Sequence, residues 1–163
     1  MTLRAILPSP IGPLTAERDE IGVTALYTEG HAQSSDSAGG DESAFTDLVS
    51  QLDAYWSGRL RTFELPLSFQ GTVFQEKVWH TLVAIPYGET ISYAELACRI
   101  GNPRAVRAVA RANATNPIAI IVPCHRVIGS DGSFRGYAGG IERKISLIEH
   151  ERTMTHGAAH SSL

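Results

Sequence analysis

The spacing of apolar residues predicts strands and one helix in the first part of the chain. Residues 3–27 contain short apolar runs separated by proline and glycine, which is typical of strands joined by turns. Residues 28–43 are mostly polar and small and predict a loop. Apolar residues recur at helical spacing over residues 45–56, with Gly58 placed to end the helix. Residues 62–69 predict a further strand, so a small sheet with one helix is expected.

Two helix-start signals follow from about residue 71. Thr72 and Gln75 form a capping-box pattern, and an apolar stripe at helical spacing comes after them. Ser92 and Glu95 repeat the pattern and predict a short helix that ends near residue 100. In each signal a hydroxyl at the N-cap is followed three residues later by a side chain that can reach back to it. Two helices are therefore expected here.

A turn at residues 101–103 separates this short helix from the next. Asn102 is expected to cap the second helix, with Pro103 at its first position and its end near Asn113. Two short helices joined by a turn with glycine predict a helix-turn-helix. The second helix carries arginines among small residues, which suits close approach to DNA, although alanine is also simply a good helix former. Cys98, in the first helix, is assigned to packing.

The last third of the chain predicts a buried strand, a loop and a final helix. Residues 118–122 are nearly all β-branched and predict the strand, with Cys124 just beyond its end. The apolar positions of the final helix are Ile141, Ile145 and Ile148. Residues 153–163 are small and polar and are expected to be a disordered tail.

Length and composition indicate a globular protein of two small domains. The chain has 163 residues, of which 43% are hydrophobic, and boundaries are expected at 1–70 and 71–152. No apolar run reaches the roughly 20 residues that span a bilayer, and no secretory signal opens the chain, so a cytoplasmic protein without membrane contact is expected. Its two cysteines lack metal-ligand spacing, so neither a disulfide nor a zinc site is expected.

Charge is unevenly distributed along the chain. Residues 1–70 hold ten acidic and four basic residues, whereas the remainder holds seven acidic and ten basic ones. Residues 96–130 contain five arginines and no acidic residue. A face that binds a polyanion is expected there, although scattered arginines are equally compatible with an ordinary solvated surface.

Cys124 is the candidate nucleophile. A cysteine attacks as the thiolate, so it needs a base or positive charge beside it, and His125 follows it directly. A carboxylate behind the imidazole would set its tautomer, and the candidates on the last helix are Glu151, Glu149 and Glu142. Most such Cys-His pairs in globular proteins are inert, so the pair alone leaves both interpretations open.

The sequence around Cys124 resembles the active-site segment of the O6-alkylguanine-DNA alkyltransferases (methylated-DNA–protein-cysteine methyltransferases). The shared segment is Ile-Val-Pro-Cys-His-Arg-Val-Ile. Four further segments, at residues 86–93, 101–109, 116–119 and 136–140, follow in the family's order and spacing. The resemblance covers about residues 71–152 and is weak before them. It implies an α+β fold with an RNase H-like N-terminal domain and a mostly helical C-terminal domain with a winged helix-turn-helix.

The resemblance also implies a reaction. Alkyl groups of O6-alkylguanine and O4-alkylthymine in DNA are transferred irreversibly to Cys124, once per molecule and without a cofactor. His125 is implied as the base, through a water, Glu151 as its hydrogen-bond partner, and Asn116 as a brace of the turn. Tyr93 is implied to donate a proton to the leaving guanine and to help rotate the 3′ phosphate.

DNA contacts are implied by the same resemblance. Double-stranded DNA is bound through the minor groove, and Arg107 fills the hole left by a flipped nucleotide. The other groove-helix positions are Arg104, Ala105, Val106, Ala108, Ala110 and Arg111. The alkylguanine pocket is lined by Val127, Tyr137, Ala138 and Gly139. A monomer is expected, with cooperativity on DNA left open.

Three other interpretations compete with this one. Non-catalytic alkylated-DNA-binding relatives carry another residue, typically tryptophan, at the position of Cys124. A winged-helix regulator with an incidental cysteine would not need Tyr93, Asn116 and Glu151 as well. A cysteine hydrolase would turn over and would need no DNA.

Overall fold

The computed structural model describes residues 2–31, 40–134, 137 and 140–161, with side chains described as far as residue 155. The chain divides into two compact units. Unit 1 contains Met1–Gln70 together with Pro117–Ala119, and unit 2 contains Gly71–Asn116 and Ile120–Leu163. The inclusion of residues 117–119 in unit 1 has a local cause. Leu26 donates its backbone N–H to Pro117 O at 2.8 Å, and Leu26 O accepts from the N–H of Ala119 at 3.1 Å.

Unit 1 is a three-stranded antiparallel sheet with one helix. The strands β1 (Leu3–Leu7), β2 (Leu14–Arg18) and β3 (Val23–Thr28) pair in sequence order. A 3-10 turn at Glu42–Phe45 leads into α1 (Thr46–Trp56). The buried side chains of these elements form the core of the unit, and they include Ala5, Leu14, Ala16, Leu26, Phe45, Leu48 and Tyr55. The predicted sheet with one helix is thus found.

The predicted strand at residues 62–69 is wrong. Only Leu67 forms a bridge, parallel to Val23 of β3. Val23 N donates to Pro66 O at 2.9 Å, and Ser68 N donates to Val23 O at 2.8 Å. Proline has no N–H to extend such a ladder, so pairing stays limited to this point.

Unit 2 is mainly helical. Its helices are α2 (Val73–Val83), α3 (Tyr93–Arg99), α4 (Val106–Ala114) and α5 (Ile141–Ser161). Two short parallel strands, β4 (Ile91–Ser92) and β5 (Val127–Ile128), pair beside them. The predicted α+β class is confirmed. None of the helices that the structure describes is long and apolar enough to cross a membrane.

The predicted helix caps at Thr72 and Ser92 are found, and the one at Asn102 is not. Thr72 accepts from Gln75 N at 3.1 Å while Gln75 Oε1 accepts from Thr72 N at 2.9 Å, so the capping box of α2 is complete. Ser92 likewise accepts from Glu95 N at 3.0 Å and caps α3. The predicted cap at Asn102 is wrong, because α4 begins at Val106 and residues 102–105 form a turn closed by Ala105 N donating to Asn102 O.

The predicted strand at residues 118–122 is also wrong. Ile118 makes one bridge, to Leu26, and turns follow it. Ile120 has φ of 72°, a left-handed conformation that interrupts any extended ladder. The apolar run reflects burial instead, since Ile120 and Val122 are almost fully buried. A short buried turn and a buried strand have the same apolar signal.

Helix α5 differs from expectation in length and in its buried face. It continues to Ser161, through residues that were expected to be disordered from 153 onwards. Its buried face consists of Lys144, Leu147, Ile148 and Glu151, whereas Ile141 is 52% exposed. These four positions follow helical spacing, and two of them are charged.

Candidate active site

Cys124 lies at the start of a 3-10 turn that covers Cys124–Arg126. Pro123 before it has φ of −80° and ψ of 64°, the geometry of an inverse γ-turn. Val122 O accepts both the Cys124 N–H, at 2.8 Å, and the Asn116 side-chain N–H, at 2.8 Å. The position of the sulfur is therefore fixed by a tight backbone turn that Asn116 braces.

Behind Cys124, two side chains and one backbone N–H meet around the carboxylate of Glu151. His125 Nε2 lies 2.6 Å from Glu151 Oε2. Arg126 donates to both oxygens of Glu151, from Nε at 2.8 Å and from Nη2 at 3.0 Å, and its Nη1 donates to Ile85 O at 2.6 Å. Gly88 N also donates to Glu151 at 3.2 Å. This cluster is buried, and His125 is fully so.

The protonation state of this cluster follows from its geometry. Burial acts to raise the pKa of Glu151, but hydrogen bonds from His125 and Arg126, together with the Arg126 charge, outweigh it and hold that pKa well below its ordinary value. Burial lowers the pKa of His125, with the positive charges of Arg126 and Lys144 adding to the effect against Glu151. A neutral imidazole beside an ionised carboxylate carries its hydrogen on Nε2. The lone pair on Nδ1 is then available to accept a proton.

Cys124 itself is a protonated thiol at neutral pH. The residue is 5% exposed, and burial raises the pKa of its thiol to about 11. The Asn116 side chain and the Lys144 charge act in the opposite direction without cancelling the effect of burial. Because the thiolate is the nucleophilic form, this cysteine needs a base when it reacts.

Two tyrosines lie near the sulfur. Tyr93, the first residue of α3, is 9% exposed; burial raises its pKa, and a thiolate at Cys124 acts in the same direction. Tyr137 is equally buried, and the same two effects raise its pKa well above the ordinary value. Both hydroxyls therefore keep their protons at neutral pH. Val127 is fully buried in β5, directly after the turn that carries Cys124.

Three residues in this region were not assigned a role from sequence. Arg126 fixes Glu151 with two hydrogen bonds, Asn113 donates from Nδ2 to Cys124 O at 3.3 Å, and Lys144 is fully buried with Nζ 3.4 Å from Tyr93 Oη. A signal for Lys144 and Glu151 was present in the sequence. Both occur at helical spacing with Leu147 and Ile148, and a charge on an apolar helix face is typical of a functional or paired group.

The exposed side chains of α4 form a separate, positively charged surface. Arg107, Ala108 and Arg111 are exposed on the helix, and Arg104 is exposed in the turn before it. Ala105, Val106 and Ala110 are partly exposed. On the opposite face Val109, Ala112 and Asn113 are buried. The surface of α4 thus offers arginines among small side chains.

The remaining predicted site residues are placed as follows. Ala138 and Gly139 lie outside the described residues. Glu142 and Glu149 are exposed on α5, so of the three candidate carboxylates Glu151 alone contacts His125 in the described part of the chain. Cys98 is exposed, which contradicts its assignment to packing; Leu96 and Ala97 fill the core side of α3.

In comparisons with known proteins, the two parts of the chain match two domains of one protein. Residues 2–69 match the ribonuclease-like domain of 6-O-methylguanine DNA methyltransferase, and residues 73–153 match its DNA binding domain. A methylated-DNA–protein-cysteine methyltransferase of Mycobacterium leprae is 48% identical over 148 residues, which are 90% of each chain. One of Methanosarcina acetivorans is 47% identical over 150 residues, covering 90% of this chain and 96% of the relative.

Solved structures lead to the same group of proteins. The crystal structure of Mycobacterium tuberculosis O6-methylguanine methyltransferase matches with a TM-score of 0.86 and 47% identity over 94% of both chains. OGT of the same organism in complex with DNA matches with a TM-score of 0.86 and 48% identity over 93% of both chains. Family models that cover nearly the whole chain and relatives close to half identical lead to one conclusion: this chain belongs to the 6-O-methylguanine DNA methyltransferase family.

Proposed function

We propose that this protein repairs alkylated DNA by transferring the alkyl group of O6-alkylguanine, and of O4-alkylthymine, to the sulfur of Cys124. It is a methylated-DNA–protein-cysteine methyltransferase, and it acts on DNA by direct reversal. The observation that carries the assignment to Cys124 is the buried thiol beside a His125–Glu151 pair 2.6 Å apart. Reversal leaves the DNA strand intact and needs no cofactor.

Activation of the thiol starts with His125. The proton of Cys124 passes to Nδ1 of His125 through a water, and the imidazolium that forms is stabilised by Glu151. Arg126 keeps Glu151 ionised and oriented through its two hydrogen bonds. Because the resting pKa of the thiol is about 11, the thiolate is formed only when the base and the substrate are both in place.

Departure of the guanine needs a proton. The thiolate attacks the alkyl carbon, the bond from that carbon to O6 breaks, and the electron pair moves onto the purine. A purine anion is a poor leaving group unless it is protonated, and Tyr93 supplies that proton. A raised pKa keeps the Tyr93 hydroxyl protonated until this step.

The alkylated nucleotide reaches Cys124 by leaving the duplex. Its O6 atom is not accessible inside the stack, and flipping costs a few kcal/mol. Arg107, exposed near the start of α4, enters the stack and replaces the flipped nucleotide, while α4 lies in the minor groove. Small exposed residues such as Ala108 allow close approach. Val127 and Tyr137 line the pocket for the flipped base.

The product limits each molecule to one reaction. A thioether at Cys124 is not hydrolysed by water, so the sulfur is not regenerated. The protein acts as a monomer in the cytoplasm, where a reducing environment keeps the thiol free.

Intact-mass measurement tests this proposal. After incubation with a duplex that contains O6-methylguanine, the protein is expected to gain one methyl group in place of one hydrogen. Cys124→Ala should remain unmodified, whereas Cys98→Ser should react like the unsubstituted protein. An unchanged mass would support a non-catalytic alkylated-DNA-binding protein instead, and repair of many lesions per molecule would support a hydrolase.

A further inference from the structure

The carboxylate of Glu151 is held by a backbone group as well as by side chains. Gly88, in the loop between α2 and β4, donates its N–H to Glu151 Oε1 at 3.2 Å. Hydrogen bonds to an ionised acceptor are stronger than those between neutral groups, and several of them together fix its orientation. His125 meets the other oxygen of the same carboxylate. A group that holds Glu151 in place therefore also places His125.

Gly88 lies in a tight turn. Glu89 N donates to Pro86 O at 3.2 Å, and Gly88, the third residue of this turn, has φ of 80°. A type II turn has such a positive φ at its third residue and takes glycine or asparagine there. The turn by itself would thus accept asparagine as well as glycine at residue 88.

The space beside Gly88 is occupied by α5. A Cβ at residue 88 would lie 2.6 Å from Thr155 Oγ1 and 3.7 Å from Glu151 O. Cβ atoms in proteins do not approach an oxygen to 2.6 Å, so either the turn or the helix would have to move. The missing side chain at residue 88 therefore allows the turn to contact α5 beside Glu151.

Thr155 also binds the main chain of Glu151. Its hydroxyl donates to Glu151 O at 2.7 Å, one helical turn earlier. Such bonds are common for threonine in helices, and this one alone would indicate nothing beyond local structure. Here it fixes the rotamer of Thr155, and with it the oxygen that faces Gly88. Glu151 is thus bonded to the turn through its carboxylate and lies close to it through its backbone.

We propose that Gly88 is a positioning residue for the alkyl transfer: its N–H holds the Glu151 carboxylate, and its lack of a side chain lets Thr155 pack α5 against the turn. The inference rests on the proposed function, because it concerns the base that activates Cys124. Gly88 acts through Glu151 and His125. If the turn and α5 move apart, the bond between these two side chains lengthens, and the imidazolium that forms during thiol activation is less stabilised.

Gly88→Ala tests the proposal. The added methyl group should separate the turn from α5 and slow single-turnover transfer from an O6-methylguanine duplex by about tenfold or more. Gly30→Ala is the matched control, since Gly30 has φ of 88° and nothing lies within 4 Å of a Cβ built there. It introduces a similar backbone strain without the contact, so its transfer rate should stay within about twofold of that of the unsubstituted protein.

A second substitution should reverse the effect of the first. In Gly88→Ala/Thr155→Ala the hydroxyl is removed, and the β-carbon of residue 155 lies 3.5 Å from the new methyl group, which is an ordinary contact. The transfer rate of this double variant should return to within about threefold of the rate of Thr155→Ala alone. Such a return would show that the contact between residues 88 and 155, and not the turn, causes the loss.

The bond between His125 and Glu151 can be followed directly by NMR. The proton of a short N–H···O bond to a carboxylate resonates far downfield, and His125 Nε2 lies 2.6 Å from Glu151 Oε2. In the protein without DNA, this resonance should move upfield in Gly88→Ala and return in the double variant. Gly30→Ala should leave it in place, because backbone strain elsewhere in the chain does not lengthen this bond.

Thr155→Ile covers the case in which Gly88→Ala does not fold. Isoleucine branches at its β-carbon as threonine does, so the position of Oγ1 stays filled and the larger side chain presses on the same contact without strain at residue 88. Slower transfer and an upfield shift of the His125 resonance are expected.

Two results would overturn the proposal: an unmoved His125 resonance in Gly88→Ala or Thr155→Ile, and a double variant as slow as Gly88→Ala. Failure of the unsubstituted protein to accept a methyl group from DNA, while the resonance shifts as expected, would instead contradict the proposed function itself.

Discussion

At the scale of single residues, burial sets the protonation states of Cys124 and His125. It raises the pKa of the Cys124 thiol to about 11 and lowers the pKa of His125. Glu151 is the exception, because His125 and Arg126 hold its pKa below the ordinary value despite burial. The site therefore rests as a neutral thiol and a neutral imidazole beside a carboxylate. Such a thiol is protected from unspecific alkylation until a substrate is bound.

The ionised Glu151 makes a testable contribution to stability. Its pKa is depressed on folding, so its contribution is complete above the ordinary value of 4.5 and is lost as pH falls below that value. Glu151→Gln leaves the Arg126 guanidinium buried without its carboxylate, and it should lower the free energy of unfolding at pH 7 by about 3 kcal/mol or more. The difference from the unsubstituted protein should shrink as pH falls from 4.5.

Urea unfolding of the unsubstituted protein and of Glu151→Gln, repeated from pH 7 downwards, measures that difference. Glu149→Gln on the exposed side of the same helix is the control, and its effect should stay within about 0.5 kcal/mol. A stability difference for Glu151→Gln that does not change with pH would contradict the account of this carboxylate.

Sequence indicated some of these residues and missed others for physical reasons. Cys124 and His125 are adjacent in a motif, so no folding information was needed to find them. Glu151 was one of three candidate carboxylates, and helical phase decided between them, since it lies on the buried face of α5 and Glu149 does not. Lys144 lies on the same buried face. It was missed because the buried face was predicted from Ile141, Ile145 and Ile148, and Ile141 is in fact exposed.

At the scale of elements, α4 carries both the surface proposed to bind DNA and a contact to the turn of Cys124. Its exposed face carries arginines, and its buried face carries Asn113 against Cys124 O. Trp79 of α2 fixes the end of α4 by donating from Nε1 to Ala112 O at 2.8 Å. If α4 binds DNA as proposed, one helix sets both the position on DNA and the position of the nucleophile.

Arg107 provides a test of this element. Because it should stabilise the flipped nucleotide, Arg107→Ala is expected to slow repair of O6-methylguanine in a duplex by about tenfold or more, while transfer from the free base stays within about twofold. Arg59→Ala, an exposed arginine of unit 1, should change neither rate. Slowing of both substrates to the same extent by Arg107→Ala would remove its role in the stack.

Helices were easier to predict than strands in this chain. A capping box such as Thr72 with Gln75 is a local signal, and both halves of it depend on neighbouring residues only. The apolar runs at 62–69 and 118–122 carry no such signal. Their burial depends on distant partners, and the left-handed Ile120 and the missing N–H of Pro66 limit each to a single bridge.

At the scale of the whole molecule, acidic and basic residues are concentrated in different parts of the chain. Residues 1–70 carry an excess of acidic side chains, whereas the remaining residues hold an excess of basic side chains together with Cys124 and its neighbours. The net charge of −3 therefore gives no indication of DNA binding, while its distribution does.

Salt concentration should change the affinity for DNA without changing the rate of alkyl transfer. If Arg104 and Arg111 neutralise phosphates, affinity for duplex DNA should fall roughly tenfold between about 50 and about 200 mM salt. Transfer from a free alkylated base involves no phosphate, so its rate should change little over the same range. If the transfer rate from the free base fell with salt as steeply as the affinity for duplex DNA, a DNA-binding role for this surface would be contradicted.

The most direct test of the central claim is a titration of the protein with an excess of O6-methylguanine duplex, followed by mass analysis of its peptides. One lesion is expected to be repaired for each protein molecule, after which repair stops, and the methyl group is expected on Cys124 and not on the exposed Cys98. Continued repair beyond one lesion per molecule, or a methyl group on any residue other than Cys124, would contradict the claim.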